Sequence, residues 1–338
     1  MSGKREPYFV SMGMFILDEV QYEDGSGREA VYDIIGGAGT YAGLAARYFL
    51  SEEPDRVSLI IDRGRDFPVA VQDELDQWEC SIEYRDTPGR PTTRGRNIYR
   101  KNEKRDFEYV NPGIRIEAKD LTDAQLRTKA LHLICSPERC LDIITHVQER
   151  TEKLNIDMPL LVWEPFPQEC RPEKLPQFRE ALKHVDVYSP NAEEAASLFG
   201  IDEEPTDKQA IEALGHRYLP YLTKPGNKAL MVLRCGAQGA VILTKTSDAV
   251  EWFPAYHETA DSVVDPTGGG NSFLGGFALG LVEKDPSIRK AAIYGNVAAG
   301  LAIEQIGLPK LTHSGNVELW NGQSVSKRIQ LYTQKLEK

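Results

Sequence analysis

Three consecutive glycines mark the stretch of this chain that is best suited to chemistry. Residues 264–273 read Val-Asp-Pro-Thr-Gly-Gly-Gly-Asn-Ser-Phe, and the small and apolar residues that follow predict a helix over 272–281. Glycine adopts positive φ readily and lets a ligand approach the backbone without meeting a Cβ. The first N–H groups of a helix lack intrahelical acceptors and lie at the positive end of its dipole. The stretch therefore predicts a site for a phosphate or a developing oxyanion, with a tight turn before a packed helix as the alternative.

A second glycine-rich segment, residues 34–46, also predicts the start of a helix built from small residues. Gly36 and Gly37 precede that helix, and Tyr41 lies within it. Its first N–H groups could bind an anion, but close packing of the helix against a sheet explains the glycines equally well. On its own this segment is weak evidence for a ligand site.

Two predicted strands end at an acidic residue. Residues 8–18 predict a buried first strand that closes with Asp18, and residues 160–165 predict a later strand that ends at Glu164 and a proline. The carboxyl ends of strands in an open α/β sheet face the ligand crevice, so Asp18 is a candidate for that crevice. A surface acid at the start of a loop is the alternative for Asp18.

Two further segments combine a turn with polar residues or glycines. Asn191 and Glu194 stand between a predicted strand and a predicted helix, where an N-cap residue followed by an acid three positions later resembles a capping box. Residues 229–243 predict two strands joined by a turn that contains Gly236 and Gly239. That second pattern is typical of a hairpin.

Residues 82–110 carry basic residues beside two threonines and alternate in a way that predicts a β-hairpin. The basic residues are Arg90, Arg94, Arg96, Arg100, Lys101, Lys104 and Arg105, and the predicted turn is 101–104. With residues around 14–34, this segment predicts a small sheet that projects over the crevice. A solvated face is the favoured explanation of the charges. Arg94 and Arg96 are the candidates for an anionic ligand or partner, because a guanidinium pairs bidentately with phosphate or carboxylate.

Length and composition limit the class of protein. The chain has 338 residues, 41% of them hydrophobic, so it can bury a full core and is not expected to be disordered. A net charge of −11 disfavours general binding to nucleic acid or to an anionic membrane. The sequence shows no apolar run that would span a bilayer and no signal-peptide core. Five scattered cysteines predict reduced thiols, and the dispersed histidines predict no zinc site. We therefore expect a cytoplasmic protein.

The glycine-rich stretch resembles the C-terminal signature of the PfkB (ribokinase-like) kinases, Asp-x-Thr-Gly-Ala-Gly-Asp-Ser-Phe. The matching residues are Asp265, Thr267, Gly268, Gly270, Ser272 and Phe273. In that family the Asp after the last glycine is the general base that accepts the proton of the attacking hydroxyl. Asn271 stands at this position, and an amide does not accept a proton near neutral pH. The resemblance implies a phosphate cradle at Gly268, Gly269 and Gly270 without the base that the family uses.

The same resemblance implies ligands for the acceptor and for a metal ion. The acceptor-side positions are Asp18, Gly36, Gly37, Tyr41 and Glu164. Tyr41 replaces an Asn that usually touches the substrate in the family, which suggests a changed or filled pocket. Asn191 and Glu194 match an Asn-x-x-Glu motif that holds the water shell of Mg²⁺, and this reading is favoured over a purely structural cap.

The resemblance also implies a set of nucleotide ligands: Asp265, Thr267, Arg234, Gly236, Gly239 and Asn296. Arg234 stands where the family usually has a Thr and could supply positive charge beside the phosphates. Asn296 corresponds to the adenine side. The resemblance runs from about Val10 to Gly307.

For the whole chain, the resemblance implies an α/β fold: a ribokinase-like three-layer α/β/α sandwich with a small β-sheet lid. Residues 1–338 would form a single domain, with lid insertions at 14–34 and 82–112. ATP and Mg²⁺ would be the cofactors, and a hydroxyl of a sugar or nucleoside would accept the phosphoryl group. Lid-to-lid dimers are common in the family, so a homodimer through the lid is expected.

Asn271 and Tyr41 leave more than one function open. The first hypothesis is an ATP-dependent phosphotransferase that is impaired at Asn271, with Asp18 or Glu164 taking part as another carboxylate. The second is a catalytically degenerate nucleotide-binding pseudokinase with a scaffold or regulatory role. Fungal proteins of the maintenance-of-killer type, distant PfkB relatives, are similar in general character. A third and weaker hypothesis is the ATP-dependent hydratase branch of the same fold.

Overall fold

A computed structural model describes residues 5–22, 29–99, 105–226, 228–245 and 250–338. The strands are β1 (Phe9–Ser11), β2 (Ile16–Tyr22), β3 (Val31–Gly36), β4 (Val57–Gly64), β5 (Ser81–Thr87), β6 (Arg94–Tyr99), β7 (Arg105–Tyr109), β8 (Ala130–Cys135), β9 (Leu160–Pro165), β10 (Val187–Tyr188), β11 (Leu230–Arg234), β12 (Ala240–Thr244), β13 (Val250–Phe253), β14 (Leu311–Ser314) and β15 (Val317–Trp320). The helices are α1 (Ala38–Arg47), α2 (Val69–Asp76), α3 (Asp123–Leu126), α4 (Pro137–Leu154), α5 (Leu175–Ala181), α6 (Ala192–Ser197), α7 (Lys208–His216), α8 (Gly269–Gly280), α9 (Ile288–Ala302) and α10 (Val325–Leu336).

A nine-stranded mixed sheet in the order β13-β12-β11-β10-β9-β8-β1-β4-β5 forms the middle layer. All neighbouring strands from β11 to β5 run parallel, whereas β12 and β13 join antiparallel at one edge. Parallel strands are usually covered on both faces, which explains continuous apolar runs such as Leu160-Leu161-Val162-Trp163 in β9. The carboxyl ends of β1, β8, β9 and β11 therefore meet at one edge, where open α/β sheets bind ligands.

Helices cover both faces of this sheet. Successive strand residues point to opposite faces, so in β9 Leu161 and Trp163 join a core with α4 to α7, whereas Val162 joins a core with α1, α8 and α9. The second layer is packed through small residues: a Cβ on Gly275 of α8 would collide with the carbonyl of Ala42 in α1. The result is a three-layer α/β/α architecture that holds the start of α8 beside the strand ends.

A separate four-stranded sheet, in the order β3-β2-β6-β7, forms the lid. β2 pairs antiparallel with β3 and parallel with β6, and β6 pairs antiparallel with β7. The turn predicted at 101–104 and the middle of the first lid segment, 23–28, lie outside the described residues. The assignment of the whole chain to a single domain stays a prediction.

The single first strand predicted over residues 8–18 is wrong. β1 ends at Ser11, and β2 begins at Ile16 in the lid sheet. Between them the chain passes against the start of α1, where a Cβ on Gly13 would lie 2.6 Å from the Cα of Gly39. Asp18 therefore belongs to a lid strand and does not lie at the end of β1.

The cysteines lie mostly in the interior. Cys135, Cys140, Cys170 and Cys235 are buried, Cys80 is partly exposed, and each is a free thiol. Burial raises the pKa of the Cys80 thiol to about 12, which disfavours the reactive thiolate. Within the part of the chain that the structure describes, no helix is both long and apolar enough to cross a membrane.

Candidate functional site

The turn into α8 forms the centre of the candidate site. Gly268 is the N-cap and has φ +77°, a left-handed conformation that favours glycine. Oδ1 of the buried Asp265 accepts a hydrogen bond from the amide of Thr267 at 2.9 Å, which holds the turn. The helix begins at Gly269, earlier than the predicted start at 272, because the left-handed Gly268 completes the turn first.

The first turn of α8 carries amide donors without helical partners. The amide of Gly269 donates to the carbonyl of Pro266, and that of Ser272 donates to the carbonyl of Gly268. Between them, the N–H groups of Gly270 and Asn271 have no backbone acceptor within the described residues. Free amides at a helix N-terminus can bind an anion, so this turn has the donors that the glycine-rich stretch predicts.

Asn271 contacts an acid. Its Nδ2 donates a hydrogen bond of 2.8 Å to Oε2 of Glu164, and the other carboxylate oxygen, Oε1, lies 2.8 Å from Nη1 of Arg234. Burial by itself would raise the pKa of the Glu164 carboxyl. The charge of Arg234, the nearby ring of His132 and the hydrogen bond from Asn271 outweigh burial and lower that pKa. Glu164 is therefore an ionised carboxylate whose two oxygens are both engaged, which makes it a weak proton acceptor.

The sequence did not indicate two residues of the site, His132 and Ser11. His132 of β8 is fully buried, with Nε2 3.5 Å from Oε2 of Glu164 and Nδ1 3.0 Å from Oγ of Ser11. Oγ of Ser11 in turn accepts a hydrogen bond from the amide of Gly13. This chain of contacts orients Glu164 toward α8. The available signal was a histidine within the apolar run Leu131-His132-Leu133, since a polar residue there must find buried partners.

Arg234 occupies the space between two carboxylates and α8. Its Nη2 donates to the carbonyl of Ser189 at 3.1 Å and lies 3.4 Å from Oε2 of Glu194. A Cβ on Gly270 would collide with Nη1, so the guanidinium rests directly on the first turn of the helix. The side chain of Arg234 is only 11% exposed. It therefore acts as the shared cation of Glu164 and Glu194.

Asn191 and Glu194 form a capping box at the start of α6. Oδ1 of Asn191 accepts a hydrogen bond from the amide of Glu194 at 2.7 Å, and Oε2 of Glu194 accepts one from the amide of Asn191 at 2.8 Å. The cap uses Oδ1 of Asn191 and Oε2 of Glu194, and Nη2 of Arg234 lies against that same Oε2. No group of three or more metal-binding side chains occurs in the described ranges. A divalent cation bound directly by Oδ1 of Asn191 and Oε2 of Glu194 would compete with the cap and with Arg234, so these two atoms do not fit direct coordination. The role of the pair in the water shell of Mg²⁺ stays a prediction.

The Glu194 carboxyl has an unusual pKa. Burial raises this pKa strongly, Arg234 lowers it in part, Glu164 raises it further, and the result is about 7. The groups that face Glu194 are Arg234 and Glu164 from the neighbouring strands, Cys170, Tyr188 and Tyr218 nearby, and Glu193 on its own helix. The neutral form is favoured by folding, because an ordinary Glu titrates near 4.3.

Replacing Glu194 with Gln is expected to flatten the pH dependence of stability. The contribution of Glu194 to the free energy of unfolding is complete below about pH 4.5. It is lost as the pH rises through about 7, which lowers the stability by roughly 3 kcal/mol. Gln retains the capping geometry but carries no ionisable group. Urea unfolding at pH 5 to 8 measures the effect. Glu193→Gln, at an exposed neighbour whose charge is the smallest of the named causes of the raised pKa, should keep most of the wild-type pH dependence. A wild-type pH profile in Glu194→Gln would contradict the prediction.

The acceptor side of the site is filled by side chains of the chain itself. Tyr41 in α1 is 3% exposed, and a Cβ on Gly268 would collide with its ring. Asp18 in β2 is also buried and lies so close to Gly36 that a Cβ there would collide with its Oδ2. Gly37 has φ +94°, and a Cβ on it would lie 2.9 Å from the amide of Ile16. Close packing therefore accounts for both glycines: against the Asp18 side chain at Gly36 and against the backbone at Gly37.

The remaining predicted nucleotide ligands have local partners. Gly236 and Gly239 have φ of +51° and +91° in the turn between the antiparallel strands β11 and β12, which is the hairpin alternative. Nδ2 of the buried Asn296 donates to the carbonyl of Ala292 in its own helix. Positive φ at the two glycines and a hydrogen bond within its own helix at Asn296 thus account for these residues.

The two lid arginines are engaged within the lid and its surroundings. Nη1 of Arg94 lies 2.7 Å from Oδ1 of Asp33, and Nε of Arg96 lies 3.2 Å from Oε2 of Glu19. Arg96 also pairs with Glu108. These ion pairs favour the solvated-face explanation of the basic run.

Comparison with known proteins gives a consistent result. Residues 82–312 match the family described as pfkB family carbohydrate kinase. The chain is 37% identical to Protein MAK32 of Saccharomyces cerevisiae, over 96% of this chain and 91% of that protein. Ribokinase from Giardia lamblia superposes with a TM-score of 0.69 at 18% identity, over 89% of this chain and 95% of that one. Adenosine kinase from Schistosoma mansoni superposes with a TM-score of 0.71 at 14% identity, over 92% and 98%. The structural likeness confirms the predicted ribokinase-like fold.

Proposed function

Because the chain belongs to the pfkB family of carbohydrate kinases, we propose that it binds a nucleotide on the kinase scaffold and has lost efficient phosphoryl transfer. The observation that carries this proposal is the hydrogen bond from Asn271 to Glu164. It means that the position of the family base holds a donating amide, and that the nearest carboxylate is already engaged. A positioned base typically contributes about 10²–10⁴-fold to such a reaction. A nucleotide-binding pseudokinase with a scaffold or regulatory role is the function that this geometry supports best.

ATP is the proposed ligand. The free amides at Gly270 and Asn271 support binding of its terminal phosphate at Gly268, Gly269 and Gly270. Membership of a kinase family supports ATP use with a metal ion as the ancestral arrangement. The adenine side remains proposed near Asn296.

A second candidate function is slow phosphoryl transfer to a hydroxyl of a sugar or nucleoside. The observation that favours it is the buried carboxylate of Asp18 on the acceptor side, held in the lid between Gly36 and Gly95. Phosphoryl transfer relies mainly on positioning and electrostatics, so the loss of one base need not abolish turnover.

ATP binding and ATP consumption, measured separately, test the proposal. Calorimetric titration with ATP is expected to show saturable binding. Formation of ADP with a panel of sugars and nucleosides is expected to stay at the rate seen without any acceptor. Acceptor-dependent turnover in the range of about 1–100 s⁻¹, which is usual for kinases, would favour the second candidate. Absence of ATP binding would contradict both.

The lid supports the predicted homodimer as a further proposal. Its edge strands and the residue after β7 expose large apolar side chains: Val31, Tyr32, Phe107, Tyr109 and Val110, with Tyr32 56% exposed. Because β3 and β7 lie at opposite edges of the lid sheet, apolar side chains at two edges are available for contact with a second copy of the chain. We also propose that the protein is cytoplasmic.

A further inference from the structure

The guanidinium of Arg234 lies at the place where a kinase of this family would need positive charge. It stands between Glu164, which the resemblance places on the acceptor side, and Glu194, which the resemblance places beside the metal ion. It also touches Gly270, whose amide has no backbone acceptor in the described structure. One cation and one free amide donor therefore meet at the first turn of α8.

We propose that Arg234 takes the place of the divalent cation, so that this protein binds the polyphosphate of a nucleotide without a metal ion. This inference rests on the proposed function, because it concerns the same site. The inference explains how two acids can lie beside an anion site. Each acid has a guanidinium nitrogen of Arg234 within 3.4 Å, so no metal ion is needed to offset its negative charge.

The donor inventory of Arg234 supports this role. A guanidinium has five N–H donors in a planar fork that matches phosphate oxygens. Nη1 pairs with Glu164, and Nη2 is shared between Glu194 and the carbonyl of Ser189. Nε is a buried donor with no hydrogen-bond partner among the described residues. Arg234 thus retains capacity to donate to an anion while it stays bound to both acids.

The test is calorimetric titration of the full-length protein with ATP in excess EDTA and in excess MgCl₂. Wild-type dissociation constants in the two buffers are expected to agree within about threefold, well below the tenfold that one charge-assisted hydrogen bond contributes. Arg234→Thr, which introduces the residue usual in the family, is expected to weaken binding in EDTA by about 10–100-fold and to make binding depend on Mg²⁺.

Two further variants keep the test decisive. Arg85→Thr removes an arginine that also bridges two acids, Asp62 and Asp120, but that lies on the edge strand β5, far from the site. The ratio of its ATP dissociation constants in EDTA and in MgCl₂ should equal that of the wild type. If Arg234→Thr does not fold, Arg234→Lys retains the charge and should still bind ATP in EDTA. Wild-type binding that requires MgCl₂ would overturn the inference and leave the proposed function intact. Absence of binding in both buffers would overturn the proposed function itself.

Discussion

Alanine in place of Gly268 is expected to destabilise the protein by roughly 2–5 kcal/mol. Gly268 has φ +77°, and a left-handed conformation costs a residue with a Cβ roughly 1–2 kcal/mol. The new Cβ would also collide with the ring of Tyr41, which is 3% exposed and has little room to move. Overpacking of this kind typically costs about 1–3 kcal/mol. The change in the free energy of unfolding can be measured by urea denaturation.

Gly315→Ala separates the two causes. Gly315 has φ +60° in the turn between β14 and β15, and no atom lies within 4 Å of a Cβ built there. This variant should show only the backbone cost of roughly 1–2 kcal/mol. In a protein that already carries Tyr41→Ala, adding Gly268→Ala should cost only the backbone term of roughly 1–2 kcal/mol, because the ring it would collide with is gone. Equal destabilisation by the two single glycine variants would contradict the contact between Gly268 and Tyr41.

The paired substitution Asn271→Asp with Glu164→Gln is expected to raise ATP turnover by about 10²–10⁴-fold, the usual contribution of a general base. The pair exchanges the positions of the amide and the carboxylate that are now joined by a 2.8 Å hydrogen bond. The total charge is unchanged, and Arg234 keeps one carboxylate partner. Turnover can be followed as ADP release with water, sugars and nucleosides as acceptors.

The single substitutions serve as controls. Asn271→Asp alone places two carboxylates against each other, so they must share a proton and the gain in turnover should be smaller than in the pair. Glu164→Gln alone adds no base and should not raise turnover. If the folded double variant turns over ATP no faster than Glu164→Gln, the position of Asn271 is not the cause of the proposed loss of transfer.

Much of the fold was predictable because its signals are local. The apolar run at 160–165 predicted β9, and the two strands predicted over 229–243 are β11 and β12. The break between β1 and β2 was not predicted, because residues 8–17 are apolar apart from Ser11 and Gly13 and were interpreted as one strand. What interrupts this strand is the approach of α1 at Gly39, a contact between residues far apart in the chain.

The candidate site also combines features that the sequence indicated with features that only the structure shows. Asn191 and Glu194 satisfy both a metal motif and a capping box in sequence. Only the structure shows that Oδ1 of Asn191 and Oε2 of Glu194 form the cap and that Arg234 lies against the same Oε2. The positive charge of Arg234 was expected near the phosphates. Its two acidic partners were not, because their identity depends on which strands are neighbours.

The amino-acid sequence by itself determined the glycine turn, the helix that follows it and the amide at Asn271, because backbone conformation and side-chain chemistry at those positions are set by adjacent residues. The tertiary structure alone decided that His132, Glu164 and Arg234 converge on Asn271. These residues come from β8, β9, β11 and α8, and strand order with helix packing brings them within hydrogen-bonding or ion-pairing distance. Whether a buried acid acts as a base, a metal ligand or the partner of an arginine is decided by such neighbours, since burial and nearby charge control its pKa.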